Sequence, residues 1–218
     1  MLKSRYIVIE PYNPKWSQLY ESEKCVLEQH LCGEYKSIMH LGSTSINGLT
    51  AKPIIDISVA VHELKDSNFY KDKLSPLRYT TSNGSKFEDW ILWDRENDGQ
   101  EYHLHLMQFD SMRLFQQVAF KIFLETHEYV ADLYVRKKKA WLWEDHIWYS
   151  MNKKPFLDDV CSHVLAEILE EPLLWKNKVE SIMGYNPFPC LFETEVCESK
   201  KEIIEKYINE KKRRFGNE

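Results

Sequence analysis

Glycine and proline are scarce in this chain, with 7 and 8 residues among 218. That scarcity excludes collagen-like, low-complexity and Gly/Ser-linker architectures, all of which need far more of either residue. No apolar run approaches the roughly 20 residues that a membrane helix requires; even Pro53-Ile54-Ile55 is broken at once by Asp56. The opening residues Met1-Leu2-Lys3-Ser4-Arg5 lack the apolar segment of a secretory signal. The five cysteines, Cys25, Cys32, Cys161, Cys190 and Cys197, are odd in number and nowhere spaced as CxxC. This argues against a disulfide framework and for reduced thiols in the cytoplasm. Basic charge is not in excess either: 29 Lys+Arg stand against 34 Asp+Glu, a net charge of −5. Broad electrostatic binding to nucleic acid is therefore not expected. Two local basic runs, Arg136-Lys137-Lys138-Lys139 and Lys211-Lys212-Arg213-Arg214, fall in helical patterns, where a solvated face is the plainer reading.

What the chain does have is core material, 43% hydrophobic and 13% aromatic residues, enough for one large soluble domain or a domain with an appendage. Asn13 and Pro14 are placed to open a helix along which Trp16, Leu19, Tyr20, Val26, Leu27 and Leu31 recur at helical spacing. Ser37 to Leu41 reads as a short strand, and Ile54 to Val61 as a second. Alternation on the second puts Ile55, Ile57, Val59 and Val61 on one face and Asp56, Ser58 and Ala60 on the other. Residues 63 to 74 read as helix. Phe87 to Trp93 and Glu101 to Phe109 read as strands of a hairpin turned through Asn97-Asp98-Gly99.

From Met112 the pattern becomes helical, with a break at Thr126-His127 and a run to about Ile147. A further helix is expected to start at Pro155 and end before Pro172, and another to run from Leu173 to Gly184. Pro187 and Pro189 mark an irregular connector, and Ser199 with Glu202 forms a capping box for Ile203, Ile204, Tyr207 and Ile208. Three regions are thus expected: a sheet-bearing core over 1–110, a helical region over 111–184, and a connector with a last helix over 185–218.

The stretch from His40 to Ser58 carries the chemistry. A strand enters a Gly42-Ser43 turn, and Thr44, Ser45, Asn47 and Gly48 follow before a strand with a lone acid. Backbone N–H groups of a glycine-containing turn, with Gly42, Ser43, Thr44 and Ser45, can surround phosphate oxygens, and Lys52 can add a point charge. A capped turn with no ligand is the competing reading. Asp56 weighs on the choice, because an ionised carboxylate inside an apolar strand needs a partner or a metal. His103-Leu104-His105 places two imidazoles on one face of its own strand. If that strand lies beside the Asp56 strand, Asp56, His103 and His105 can converge on a divalent ion. The alternative is a half-exposed strand face. Glu88 and Asp89 are further acids at a strand end, better read as solvated. Trp141, Trp143 and Trp148 could stack on a base, but helical spacing favours core.

At these residues the sequence resembles the GrpB family, also known as UPF0157, which is itself similar to the nucleotidyltransferase superfamily. The resemblance runs through Gly42-Ser43-Thr44-Ser45, Gly48-Leu49 and Ala51-Lys52-Pro53-Ile54-Ile55-Asp56-Ile57. His103-Leu104-His105 supports it, as do looser matches at Phe120 to Leu124, His127, Tyr149, Lys153 and Phe156. It covers roughly residues 6 to 170.

The resemblance implies an α+β fold, a nucleotidyltransferase-like mixed β-sheet with flanking helices and a helical C-terminal half. It implies that the Gly42 turn holds the phosphates of a nucleotide or other phosphorylated ligand, with Lys121 and Lys153 as further basic groups. Active members of that superfamily hold two Mg²⁺ ions with two acids on one strand and a third on a neighbour. Here Asp56 and Ser58 occupy the two catalytic positions of the first strand, and His103 and His105 stand where the third acid would be. Fewer carboxylates and more nitrogen favour one Zn²⁺ or Mn²⁺ over paired Mg²⁺. Ile46-Asn47 replace a Val-Pro common in the family, a change in loop stiffness. The expected activity is ligand binding with metal-dependent nucleotidyl or phosphoryl transfer; a non-catalytic binding module is the alternative.

Overall fold

The computed structural model describes residues 7–87, 90–143, 146–193 and 199–206, without the side chains at 82–87, 143, 146–148, 150 and 154. The opening helix α1 (Lys15–His30) begins as its sequence suggests, the Asn13 side chain accepting from the Lys15 N–H at 3.0 Å. Five strands follow: β1 (Tyr35–Leu41), β2 (Ile54–Val61), β3 (Thr80–Phe87), β4 (Trp90–Asn97) and β5 (Gln100–Gln108). They form one mixed sheet in the order β1-β2-β5-β4-β3, in which only the β2–β5 pair is parallel. Helix α2 (Ser67–Leu74) starts later than its apolar pattern suggests, because Asp66 caps it by accepting from the Phe69 N–H.

Period-two alternation gives the sheet two unlike faces. One carries Ile55, Ile57, Val59, Val61, Ile91, Trp93, Tyr102, Leu104 and Leu106, packed in one cluster with Trp16, Tyr20, Leu27 and Leu31 of the α1 region and with Tyr70 and Leu74 of α2. Under this face Glu23 of α1 pairs with Arg95 at 2.5 Å and accepts from the Tyr79 hydroxyl at 3.0 Å, so its buried charge is compensated. The other face carries Asp56, Ser58, His103, His105 and Asp94.

The β4–β5 hairpin turns through Asp98 and Gly99, both at positive φ, 51° and 80°. Two such residues make the tight turn whose twist matches that of the flanking strands. The turn sets the register: Asn97 faces Gln100, so Asp94 faces His103 and Leu92 faces His105. Residue 87, expected to start this hairpin, instead ends β3, and β4 begins at Trp90. The edge strand β3 was not expected at all.

The helices after the sheet are α3 (Met112–Thr126), α4 (Glu128–Ala140), α5 (His146–Glu170) and α6 (Pro172–Met183). The run expected to reach Ile147 stops at Ala140, where a 3-10 turn over Trp141–Trp143 takes over. Pro155 does not start a helix but lies inside α5. Its ring removes the N–H that would bond the carbonyl of Met151, an exposed residue whose carbonyl can turn to water. Gly184 closes α6 at φ 77°, as its position suggests. Helix is also present over 199–206; Tyr207 and Ile208, and the basic run Lys211–Arg214, lie outside the described residues.

Contacts divide the chain into two compact units, one spanning Glu10–Gln117 and the other comprising the rest. The boundary falls within α3, so the first turns of that helix belong with the sheet. In the second unit Phe120 meets Tyr134 edge-on at 5.6 Å between ring centroids, and Tyr134 stacks on Phe156 at 5.0 Å. Among the described residues no helix is long and apolar enough to cross a membrane.

The geometry of the Asp98-Gly99 turn has a direct test. Gly99→Ala keeps open space around the new methyl group but forces an L-residue to φ 80°. Urea unfolding should show a loss of about 1–2 kcal/mol; an unchanged midpoint would mean that the turn is not built this way.

Candidate metal and phosphate site

Asp56 sits on the interior strand β2, and the parallel pairing with the central strand β5 sets it opposite His103, with Ser58 opposite His105. The two imidazoles therefore flank the carboxylate. His103 Nδ1 lies 3.5 Å and His105 Nε2 3.6 Å from Asp56 Oδ1, and one donor atom from each of the three residues falls within 4.8 Å of the others. These separations are too long for good direct hydrogen bonds. They match the edge of a coordination tetrahedron, about 3.4 Å for metal–ligand bonds of about 2.0–2.1 Å. One carboxylate oxygen and two imidazole nitrogens are a donor set suited to Zn²⁺ or Mn²⁺, so these residues fit the ion that the sequence comparison suggested.

The Gly42 turn is pressed against this carboxylate. Gly42 adopts φ 79°, and a Cβ built on it would lie 2.3 Å from Asp56 Oδ2; only glycine allows that approach. Inside the turn, the Ser45 hydroxyl donates to the Gly42 carbonyl at 2.7 Å and the Thr44 hydroxyl to the Ile54 carbonyl at 2.9 Å. The Thr44 oxygen also contacts His40 Nε2 at 3.1 Å, and the His40 ring stacks on Tyr20. Thr44 and Ser45 thus spend their protons bracing the loop, while the Ser43 hydroxyl makes no hydrogen bond among the described residues. Lys52 is half-buried immediately before β2.

Ser58 departs from the cluster. It is fully buried and its hydroxyl donates to Gln117 Oε1 at 2.9 Å. At this position the strand offers a satisfied hydroxyl, not a carboxylate for a second ion. Lys121 and Lys153 belong to the second unit, where Lys121 pairs with Glu125 at 2.5 Å and the Lys153 ammonium lies 5.9 Å from the Tyr149 ring centre. Trp141 meets the same Tyr149 edge-on at 6.1 Å, and the side chains of Trp143 and Trp148, like Glu88 and Asp89, lie outside the described residues.

Four groups at the cluster carry no signal of that role in the local sequence pattern. Asp94 Oδ1 lies 3.6 Å and Glu101 Oε1 3.2 Å from His103 Nε2. Trp90 stacks on His105 at 5.4 Å, with the Arg113 guanidinium 5.0 Å from the same indole. The hairpin register was the signal for Asp94: counting back from Asp98-Gly99 sets it opposite His103.

The charges are strongly coupled. Burial opposes ionisation of Asp56, but the side chains and charges of His103 and His105 outweigh it and hold the carboxyl well below its usual range. Burial likewise disfavours the charged form of His103, yet Asp56, Glu101 and Asp94 push its pKa up to about 10. In the metal-free protein His103 is therefore a cation at neutral pH, and a metal must displace its proton.

Two predictions follow from this geometry. A pKa raised in the fold contributes stability that is complete below the ordinary imidazole value of 6.5 and is lost as the pH rises through about 10. The lowered Asp56 contributes above the ordinary carboxyl value of 3.8 and loses its contribution as the pH falls. The stability difference between metal-free wild type and His103→Gln, measured by urea unfolding, should thus be greatest between these ordinary values and shrink from pH 6.5 towards 10. A difference that grows over that span contradicts the pairing. Separately, Gly42→Ala should cost about 1–2 kcal/mol for the backbone and about 1–3 kcal/mol more for overpacking. Gly48→Ala, at φ 78° with nothing within 4 Å, should cost only the former. Equal losses in the two variants would show that the turn does not bear on Asp56.

Residues 6–163 match the family model described as GrpB protein. The glutamate-rich protein GrpB of Alkalihalophilus pseudofirmus is 27% identical over 166 residues, covering 72% of this chain and 95% of that protein. The UPF0157 protein YqkA of Bacillus subtilis is 26% identical over 135 residues, which make up 62% of this chain and 39% of that relative. A crystal structure of conserved protein GrpB from Enterococcus faecalis superposes with a TM-score of 0.67 at 24% identity, covering 73% of this chain and 98% of that one; at that identity the likeness speaks to fold, and the mixed sheet with helices is shared. With the family model spanning the sheet, the Gly42 turn and the His103-Leu104-His105 strand together, this chain belongs to the GrpB family.

Proposed function

We propose that this protein binds a divalent metal ion through Asp56, His103 and His105, and with it the phosphates of a nucleotide or related phosphorylated ligand. The observation that carries the reading is the spacing of one carboxylate oxygen between two imidazole nitrogens, at 3.5 and 3.6 Å, where a shared ion fits and direct hydrogen bonds do not. When bound, the ion supplies a Lewis acid that polarises a phosphoryl oxygen. The Gly42 turn is held against Asp56; the Ser45 and Ile46 N–H groups close the turn on the Gly42 and Ser43 carbonyls, so the donors we assign to the phosphates are the Ser43 and Thr44 N–H groups and the Ser43 hydroxyl.

Burial of Ser58 and its bond to Gln117 weigh against two-metal transfer, because the second coordinating acid has no substitute on β2. Binding with one ion is the reading we favour over two-metal nucleotidyl transfer. Purified protein should take up a stoichiometric amount of Zn²⁺ or Mn²⁺ by elemental analysis, and ATP or another triphosphate should raise its melting temperature only when the metal is present. Asp56→Asn should abolish both effects. Metal-independent stabilisation by triphosphate, or full metal content in Asp56→Asn, would contradict the assignment. Pyrophosphate release in the same samples would restore transfer as the activity.

A further inference from the structure

The back of His103 supports an inference that rests on the metal-binding reading above. Its two ring nitrogens face different groups. Nδ1 lies 3.5 Å from Asp56 Oδ1, whereas Nε2 lies 3.2 Å from Glu101 Oε1 and 3.6 Å from Asp94 Oδ1. Among the described residues Asp94 Oδ1 is buried and has no hydrogen-bond partner, a costly state for a carboxylate oxygen unless a donor is aimed at it. Backbone geometry fixes both acids: Asp94 is directly across the hairpin from His103, and Glu101 precedes it by two residues on the same face of β5. His105 contrasts with this arrangement, since its Nδ1 is buried without a partner among the described residues.

We propose that Asp94 and Glu101 are positioning residues that hold the His103 proton on Nε2 and so present Nδ1 as the metal-binding nitrogen. A neutral imidazole carries one proton, and ionised carboxylates can only accept it, so two of them at Nε2 leave the lone pair on Nδ1. That lone pair faces Asp56. The two acids also place negative charge behind the ligand and make the imidazole more basic, as carboxylates behind metal-bound histidines do. In this way a site with one direct carboxylate keeps a charge suited to a divalent cation although position 58 is serine. An amide in place of either acid can donate to Nε2, which drives the proton onto Nδ1 and blocks the ligand nitrogen.

The test uses the full chain as wild type, Asp94→Asn and Glu101→Gln. Zinc affinity is measured by competition with a chromophoric chelator, melting temperature on the metal-free proteins, and long-range ¹H–¹⁵N NMR of the zinc-loaded wild type and variants reports which His103 nitrogen carries the proton. The expected result is Nε2–H with Nδ1 ligated in the wild type, and zinc binding weakened by about 10–100-fold in each variant. A merely structural role would lower the melting temperature of the metal-free variants without altering the nitrogen signature. Should Asp94→Asn fail to fold, Glu101→Gln, whose side chain is one-third exposed, and the wild-type spectrum still decide. Ligation through Nε2, or unaltered affinity in the folded variants, overturns the proposal and leaves the metal-binding reading in place. A wild type that takes up no zinc overturns both.

Discussion

A carboxylate in the middle of a buried strand must be compensated, and much of the sheet's polar face is arranged around that requirement at Asp56. Its strand is apolar on both sides of it in sequence, and the neighbouring strand β5 runs parallel in a register that delivers one imidazole directly opposite and another two residues on. The chain entering from β1 must come close enough to close the site, which is why residue 42 has no side chain. Each of these features is ordinary by itself. Their coincidence at one carboxylate oxygen gives the face its chemical character: without an ion His103 is held as a cation against Asp56, and a divalent ion at the same point would take the place of its proton.

The two faces of the sheet divide the labour. The apolar face, filled by α1 and α2, supplies the burial that keeps β2 and β5 in place, at a typical gain of about 25 cal/mol per Å² of apolar surface. The polar face can then carry groups that would be unfavourable in a less rigid setting. Acids have not disappeared from this face relative to a nucleotidyltransferase-like site with three coordinating carboxylates; Asp94 and Glu101 stand behind an imidazole instead of in front of a metal. Ser58, tied to Gln117, keeps the strand packed where an acid would otherwise open it to solvent. The arrangement is better matched to holding one ion and its ligand than to the paired ions of group transfer.

How much of this was legible in the sequence depends on the kind of signal each residue carries. Strand β2 announces itself by β-branched alternation, and the lone Asp56 in it is conspicuous because charge is costly there. The His103-Leu104-His105 spacing shows that two imidazoles share a face, but no local pattern says which strand lies alongside; the parallel β2–β5 pairing is a tertiary fact. Asp94 was within reach, since a two-residue turn at Asp98-Gly99 fixes every cross-strand pair, yet a single acid in a run of Trp90, Leu92 and Trp93 reads as an exposed position. Strand β3 was hidden because Thr80-Thr81-Ser82-Asn83-Gly84-Ser85 has no apolar alternation, as suits an edge strand with one neighbour. Pro155 misled for the opposite reason: a strong local signal for a helix start was overridden by packing, as Phe156, Val160 and Val164 are all buried along the continuous α5.

X-ray absorption spectroscopy of the zinc-loaded protein would identify the atoms around the ion. A shell of nitrogen and oxygen atoms at about 2.0–2.1 Å is expected, with the multiple-scattering pattern of two imidazoles, lost when His103 and His105 are replaced. A sulfur shell at about 2.3 Å, showing that the exposed thiols of Cys25 or Cys32 hold the metal, or a spectrum of fully hydrated ion would contradict this coordination.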